Sequence, residues 1–143
     1  MLNSFRRCLF SKCFRKGNLK QNVIILKNVE KNKQGEILLV MYKNKRYILK
    51  LYNKPKIYNR EIYFLDKLNN DKIIKTSKLN VVIENKVGML LPYYCNGDLY
   101  YYLKNNNITE KKAIAIMIEI ADIIKYIHEL GIIHNDIKLE NFL

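Results

Sequence analysis

Ile133-His134-Asn135-Asp136-Ile137-Lys138-Leu139-Glu140-Asn141-Phe142-Leu143 sets one carboxylate, one ammonium and one carboxamide within a few residues of one another. Asp136 comes first, Lys138 follows two residues on, and Asn141 lies five residues after Asp136. Read without function, the stretch is a capped turn in which Asp136 and Asn141 bond only to backbone. What precedes it argues for a more specific role. Thr109 caps a long helix, Glu110 occupies its first turn, and Gly131 stands just past its end, so the polar triplet lies on the loop that leaves that helix.

Further towards the N-terminus the pattern is of short strands. Val23 to Val29 is the first, followed by a polar turn from Glu30 to Gly35. Glu36 to Tyr42 and Arg46 to Leu51 form a hairpin joined at Lys43-Asn44-Lys45. Asn53-Lys54-Pro55 breaks the sheet and starts a helix, on which Ile57, Ile62, Leu65 and Leu68 have helical apolar spacing. A second hairpin pairs Leu79 to Glu84 with Val87 to Leu91 about an Asn85-Lys86 turn. Pro92 cannot donate to a ladder and ends it. Asp98 to Lys104 is a short aromatic helix, and Asn105-Asn106-Asn107 is a loop before the long helix.

A chain of 143 residues, 49% of them hydrophobic, is one domain or part of one and can bury a core. No apolar run reaches the ~18 residues of a membrane span. The net charge of +13 invites nucleic acid as a partner. The lysines, however, are scattered among frequent Asn, Ile and Tyr, the set an AT-rich genome favours, and no specific nucleic-acid partner is expected. Cys8, Cys13 and Cys95 lack zinc-type spacing, and no signal peptide is evident, so an intracellular, cytoplasmic setting is expected. Residues 1–22 read as a basic extension and 23–143 as the folded domain.

Moving a phosphoryl group from ATP needs a carboxylate to receive the proton of the incoming hydroxyl, a polar ligand for Mg2+, and a cation on the phosphates. His134-Asn135-Asp136-Ile137-Lys138-Leu139-Glu140-Asn141 resembles the H-R-D-L-K-x-x-N catalytic loop of eukaryotic-type serine/threonine protein kinases. The resemblance implies that Asp136 is the base, that Lys138 neutralises charge on the transferred phosphate, and that Asn141 is a Mg2+ ligand. Tyr47-Ile48-Leu49-Lys50 resembles the V-A-I-K strand, which makes Lys50 the α/β-phosphate ligand and Glu61 its partner on the first helix. Leu91-Pro92-Tyr93-Tyr94 is similar to the hinge, with Leu91 as gatekeeper and Tyr93 bonding adenine through backbone. Asp98 would reach the ribose, and Gly35, Ile37 and Ile48 would line the nucleotide. His128 and His134 are structural in this scheme.

The fold implied is α+β: a kinase small lobe over 23–91 with a five-stranded antiparallel sheet and one helix, a hinge at 92–97, and the first helices of a large lobe over 98–143. ATP, Mg2+ and a protein substrate or partner kinase are the implied ligands. The chain also departs from the family pattern. Glu30 and Asn32 stand where the first two glycines of the phosphate-covering loop belong, Ile48 replaces the alanine that roofs adenine, and Asn135 replaces the arginine before the base. No D-F-G motif follows Asn141. On the long helix, Ile114, Met117, Ile118, Ala121 and Ile124 make one apolar stripe, and Ile116, Ile120, Ile123 and Ile127 make another, so burial on several sides is expected. Two outcomes remain open: phosphoryl transfer by a shortened kinase domain, or an inactive kinase-like fragment that docks on a kinase or its substrate. Composition and the reduced pattern together are similar to those of genes of large DNA viruses.

Overall fold

Burial alternates residue by residue from Leu38 to Tyr42 and from Ile48 to Leu51, and these strands are the centre of the sheet in the computed structural model, which describes residues 23–143. The side chains of residues 77–80, and with them Leu79, lie outside the described residues, as does the basic 1–22 segment with Cys8 and Cys13. Strands β1 (Val23–Lys31), β2 (Gly35–Tyr42), β3 (Lys45–Tyr52), β4 (Ser77–Ile83) and β5 (Lys86–Pro92) form one antiparallel sheet in the order β1-β2-β3-β5-β4. Helix α1 (Pro55–Lys67) lies between β3 and β4 in sequence and packs on β3 and β5. Pro55 suits its first turn, where no N–H is needed for the helix ladder.

Period-2 burial produces the sheet's core. Leu38, Val40 and Tyr42 of β2, Leu49 and Leu51 of β3, Val81 of β4 and Leu90 of β5 cluster on one face and are all buried. Each fully buried aliphatic side chain contributes roughly 1.5–3 kcal/mol. Against α1, Tyr52 and Tyr58 meet edge to face with ring centroids 5.5 Å apart, and burial pushes the Tyr58 phenol pKa up.

Both hairpin turns are two residues long with positive φ throughout: Lys43 and Asn44 at 48° and 58°, Glu84 and Asn85 at 48° and 64°. These are type I′ connections, which match the right-handed strand twist. The first therefore excludes Lys45 from the expected three-residue turn, since Lys45 pairs with Tyr42. The second sits one residue earlier than Asn85-Lys86, because Lys86 pairs with Ile83 as the first residue of β5. Likewise Glu30 and Lys31 belong to β1, paired with Ile37 and Glu36, so the expected Glu30–Gly35 turn shrinks to residues 32–34.

A second compact unit begins at Tyr94, inside the stretch read as a hinge. It holds α2 (Leu99–Asn105), α3 (Glu110–Glu129) and a 3-10 turn at Leu139–Asn141. Asp98 and Thr109 are the N-caps of α2 and α3, accepting from the N–H groups of Tyr101 and Lys112. Helix α3 ends in a Schellman arrangement: Gly131 turns at φ 69°, its N–H meets the His128 carbonyl, and the Ile132 N–H meets the Ile127 carbonyl. Only one of the two isoleucine stripes is buried. Ile116, Ile120, Ile123 and Ile127 face inward, the first two against Leu99, while Ile114, Met117 and Ile118 are 52–60% exposed. No helix among the described residues is long and apolar enough to cross a membrane.

Candidate functional site

Because its period is 2, β3 turns Leu49 and Leu51 into the core and leaves Ile48 and Lys50 on the opposite face. Register extends that face across three strands. Ile37 lies opposite Lys50, Ile48 lies opposite both Leu39 and Leu91, and Met89 lies opposite Lys50 on its other side. Directly opposed residues share a face. Ile37, Leu39, Ile48, Lys50 and Leu91 are all half-buried, whereas their neighbours on the core face are fully covered. The aliphatic row Leu39–Ile48–Leu91 is thus bulkier at its centre than a row with alanine in place of Ile48.

Lys50 is fixed by two contacts. Its Nζ lies 2.7 and 2.8 Å from the two carboxylate oxygens of Glu61 on α1. It also stands 5.2 Å from the Tyr52 ring centroid. A third of the Lys50 side chain stays exposed while its ammonium is held in place by Glu61.

At the other end of β2, Gly35 is required by packing. A Cβ there would lie 1.8 Å from the Leu51 carbonyl oxygen. The turn before it is held on both sides. The Asn32 Oδ1 accepts from the Gln34 N–H at 2.8 Å and the Gly35 N–H at 3.2 Å. The Asn32 N–H donates to the Gly35 carbonyl, and the Asn53 N–H donates to the Gln34 carbonyl. Glu36, next in sequence, binds the ammonium groups of Lys86 at 2.7 Å and Lys31 at 3.1 Å. Those bonds, Lys86's first, hold its carboxyl below the ordinary carboxylate range.

In the second unit the polar triplet closes on itself. The Asn141 side-chain amide donates to Asp136 Oδ2 at 2.8 Å and to the Asp136 carbonyl at 2.7 Å. Lys138 Nζ lies 3.1 Å from the same Oδ2. The Asp136 N–H donates to His134 Nδ1 at 3.2 Å, which leaves the other ring nitrogen protonated when the ring is neutral. Asn141 first and Lys138 second hold the Asp136 carboxyl below its ordinary value. Asn135 takes a left-handed conformation, φ 60°, which asparagine tolerates better than most residues. The capped-turn alternative is therefore only half right: Asn141 does bond to backbone, but it also meets the Asp136 carboxylate. His128 is exposed in the last turn of α3.

Asp98 stands at the start of α2 and caps it. One of its carboxylate oxygens is taken by the α2 cap, 2.8 Å from the Tyr101 N–H. Tyr93 is half-buried directly after β5, beside the boundary between the two units. Among the described residues, no three His, Cys, Asp or Glu side chains gather into a metal-holding group. Reading the sequence missed Asn32 as a participant and treated it only as a lost glycine. The signal was present, since an Asn three residues before a Gly is a turn-capping pattern.

These features meet a defined class of protein. A family model for the protein kinase domain matches residues 11–143, and the chain belongs to that family. The sheet with α1 is the small lobe of such a domain, and α2, α3 and the loop after them begin its large lobe. Among curated proteins, the chain is 30% identical over 140 residues to NUAK family SNF1-like kinase 2 of Rattus norvegicus, covering 90% of this chain and 22% of that one. It is 30% identical over 128 residues to an Aurora kinase of Saccharomyces cerevisiae, covering 82% and 35%. A 91-residue stretch is 37% identical to the yeast fatty acyl-CoA synthetase and RNA processing-associated kinase 1, covering 62% and 10%. The chain thus spans about a third or less of the length of these relatives.

Proposed function

We propose that this protein binds ATP and transfers its γ-phosphate to a serine or threonine hydroxyl of a protein. Lys50, oriented by Glu61, grips the nucleotide phosphates. The substrate O–H proton passes to Asp136 as its oxygen bonds to Pγ and the bond from Pγ to the bridging oxygen breaks, releasing ADP. Asn141 and Lys138 both approach Oδ2 of Asp136, so Oδ1 is the oxygen that receives the proton. Lys138 then balances charge on the phosphate in flight.

The donor set suits Mg2+ only together with ATP. Asn141 commits its amide nitrogen to Asp136, which makes its oxygen the metal-facing atom. One amide oxygen is too few to hold the ion by itself, and substrate phosphates would supply further ligands. When bound, the ion would neutralise phosphate charge.

The observation that carries this reading is the bidentate Lys50–Glu61 pair, formed on a half-buried sheet face with a third of the lysine side chain exposed. The test is incorporation of labelled γ-phosphate into a Ser/Thr peptide by the wild type and by Asp136→Asn. Losing a general base should cost ~10²–10⁴ in rate. Equal incorporation by the two proteins defeats the assignment.

A second reading is supported by the outward stripe of α3, where Ile114, Met117 and Ile118 are more than half exposed. Here the protein is an inactive kinase-like module that docks on a kinase or its substrate. Stoichiometric capture of a kinase, with no ATP-dependent rise in melting temperature, favours that reading over phosphoryl transfer.

A further inference from the structure

Two successive backbone N–H groups, those of Gln34 and Gly35, converge on one oxygen, Asn32 Oδ1. Convergent successive amides of this kind make a concavity suited to anions. In this chain the concavity is already filled by a neutral carbonyl oxygen from the turn itself. The turn cannot easily open to release it. Its Gln34 carbonyl is bound by the Asn53 N–H at 2.9 Å, its Lys33 carbonyl by the Asn53 side-chain amide at 3.3 Å, and Gly35 is wedged against the Leu51 carbonyl. Asn32 is held in turn from its other end, its Nδ2 donating to Glu30 Oε1 at 2.7 Å.

The turn leads directly into the strand that lies opposite the phosphate-gripping cation. Gly35 pairs with Tyr52, whose ring stands 5.2 Å from Lys50 Nζ, and Ile37, two residues on, is opposite Lys50 itself. We infer that Asn32 sets the nucleotide affinity of this protein by occupying, in place of a phosphate oxygen, the paired amides of Gln34 and Gly35. This rests on the ATP reading given above. A phosphate must displace Asn32 Oδ1 before it gains those two hydrogen bonds, so triphosphate binding is weakened while contacts to the base are untouched. Glu30, anchoring the Asn32 amide, adds a negative charge on the same side of the turn.

The experiment is calorimetric titration of ATP and of adenosine, separately, into the full chain as wild type, Asn32→Ala, Asn32→Asp and Lys50→Ala. Asn32 is exposed, so the variants should fold, and thermal unfolding without nucleotide checks this. Freeing two amides for an anionic acceptor should tighten ATP roughly tenfold or more in Asn32→Ala. Adenosine affinity should stay put. Asn32→Asp keeps the cap, adds charge, and should bind ATP more weakly than wild type. If ATP affinity in Asn32→Ala equals that of wild type while still depending on Lys50, the inference alone is lost. The same holds if ATP and adenosine change in parallel. If wild type and Lys50→Ala bind ATP equally, the nucleotide reading falls and the inference falls with it.

Discussion

Lys50 of β3 and Glu61 of α1, eleven residues apart in sequence, join helix to sheet through two charge-assisted hydrogen bonds of 2.7 and 2.8 Å. With the lysine side chain a third exposed, solvent screening limits the pair's worth to stability to about 1 kcal/mol or less. Its value lies in where it holds the ammonium. Glu61→Gln should therefore shift the melting temperature little, yet weaken ATP binding roughly tenfold by releasing Lys50 from its position. Titration calorimetry alongside thermal unfolding separates the two effects. A large melting shift with unchanged ATP affinity contradicts the positioning role.

The Asp136 carboxyl gives a pH prediction. Its folded pKa is depressed from the ordinary 3.8, chiefly by the Asn141 amide and then by Lys138. A carboxyl depressed in the folded state contributes stability that is complete above its unfolded value and fades as pH falls through the folded one. Asn141→Ala removes the leading cause, so the Asp136 pKa should rise towards 3.8, and the acid limb of any phosphoryl transfer should rise with it. Carboxyl-detected NMR titration of Asp136 in wild type and variant reads this directly. An unchanged midpoint would assign the depression to Lys138 instead.

Gly35→Ala should be strongly destabilising. The added methyl would sit 1.8 Å from a backbone oxygen of β3, and a backbone wall cannot move aside as a side-chain tip can. Overpacking of this kind costs at least about 1–3 kcal/mol. Chemical denaturation should show a reduced midpoint, and Gly131→Ala, which meets open space but must adopt φ 69°, should cost only about 1 kcal/mol.

On α3, burial separates two sets of isoleucines that look alike in sequence. Ile127, 2% exposed, should lose about 2–4 kcal/mol on truncation to alanine. Ile118, 56% exposed, should lose about 0.5 kcal/mol or less on replacement by serine. Equal losses would mean that the outward stripe is covered in solution, which is also what the docking reading requires.

Asn135 should be intolerant of branched replacements. Its φ of 60° costs a β-branched residue about 1–2 kcal/mol, so Asn135→Val should unfold more readily than Asn135→Gly. Denaturation midpoints of the pair provide the comparison.

Strands, helices and their order were legible in the sequence because period-2 burial at Leu38, Val40, Leu49 and Leu51, and the caps at Thr109 and Gly131, are local signals. The polar triplet was legible for the same reason, since Asp136, Lys138 and Asn141 lie within six residues. What escaped were matters of pairing. The Glu84–Asn85 turn was displaced by one residue because only the ladder partner of Lys86 reveals where the strand begins. Which isoleucine stripe of α3 turns inward depends on Leu99, far back in the chain. Asp98 also caps α2, a role its reading as a ribose ligand did not include. Asn32 was hidden by the comparison with glycine, which asks what is missing rather than what the asparagine oxygen reaches.

The Leu99 N–H donates to the Phe142 carbonyl at 2.7 Å, and Phe142 packs on the small core of Leu99, Ile116 and Ile120. This contact has a consequence for the order in which the protein can be made. The β1–β2–β3 meander joins sequence neighbours and can begin to pair while later residues are still being synthesised. The start of α2, by contrast, waits for a partner more than forty positions downstream. At ~5–20 residues per second of synthesis, that leaves the second unit without its closing contact for several seconds after α2 is made.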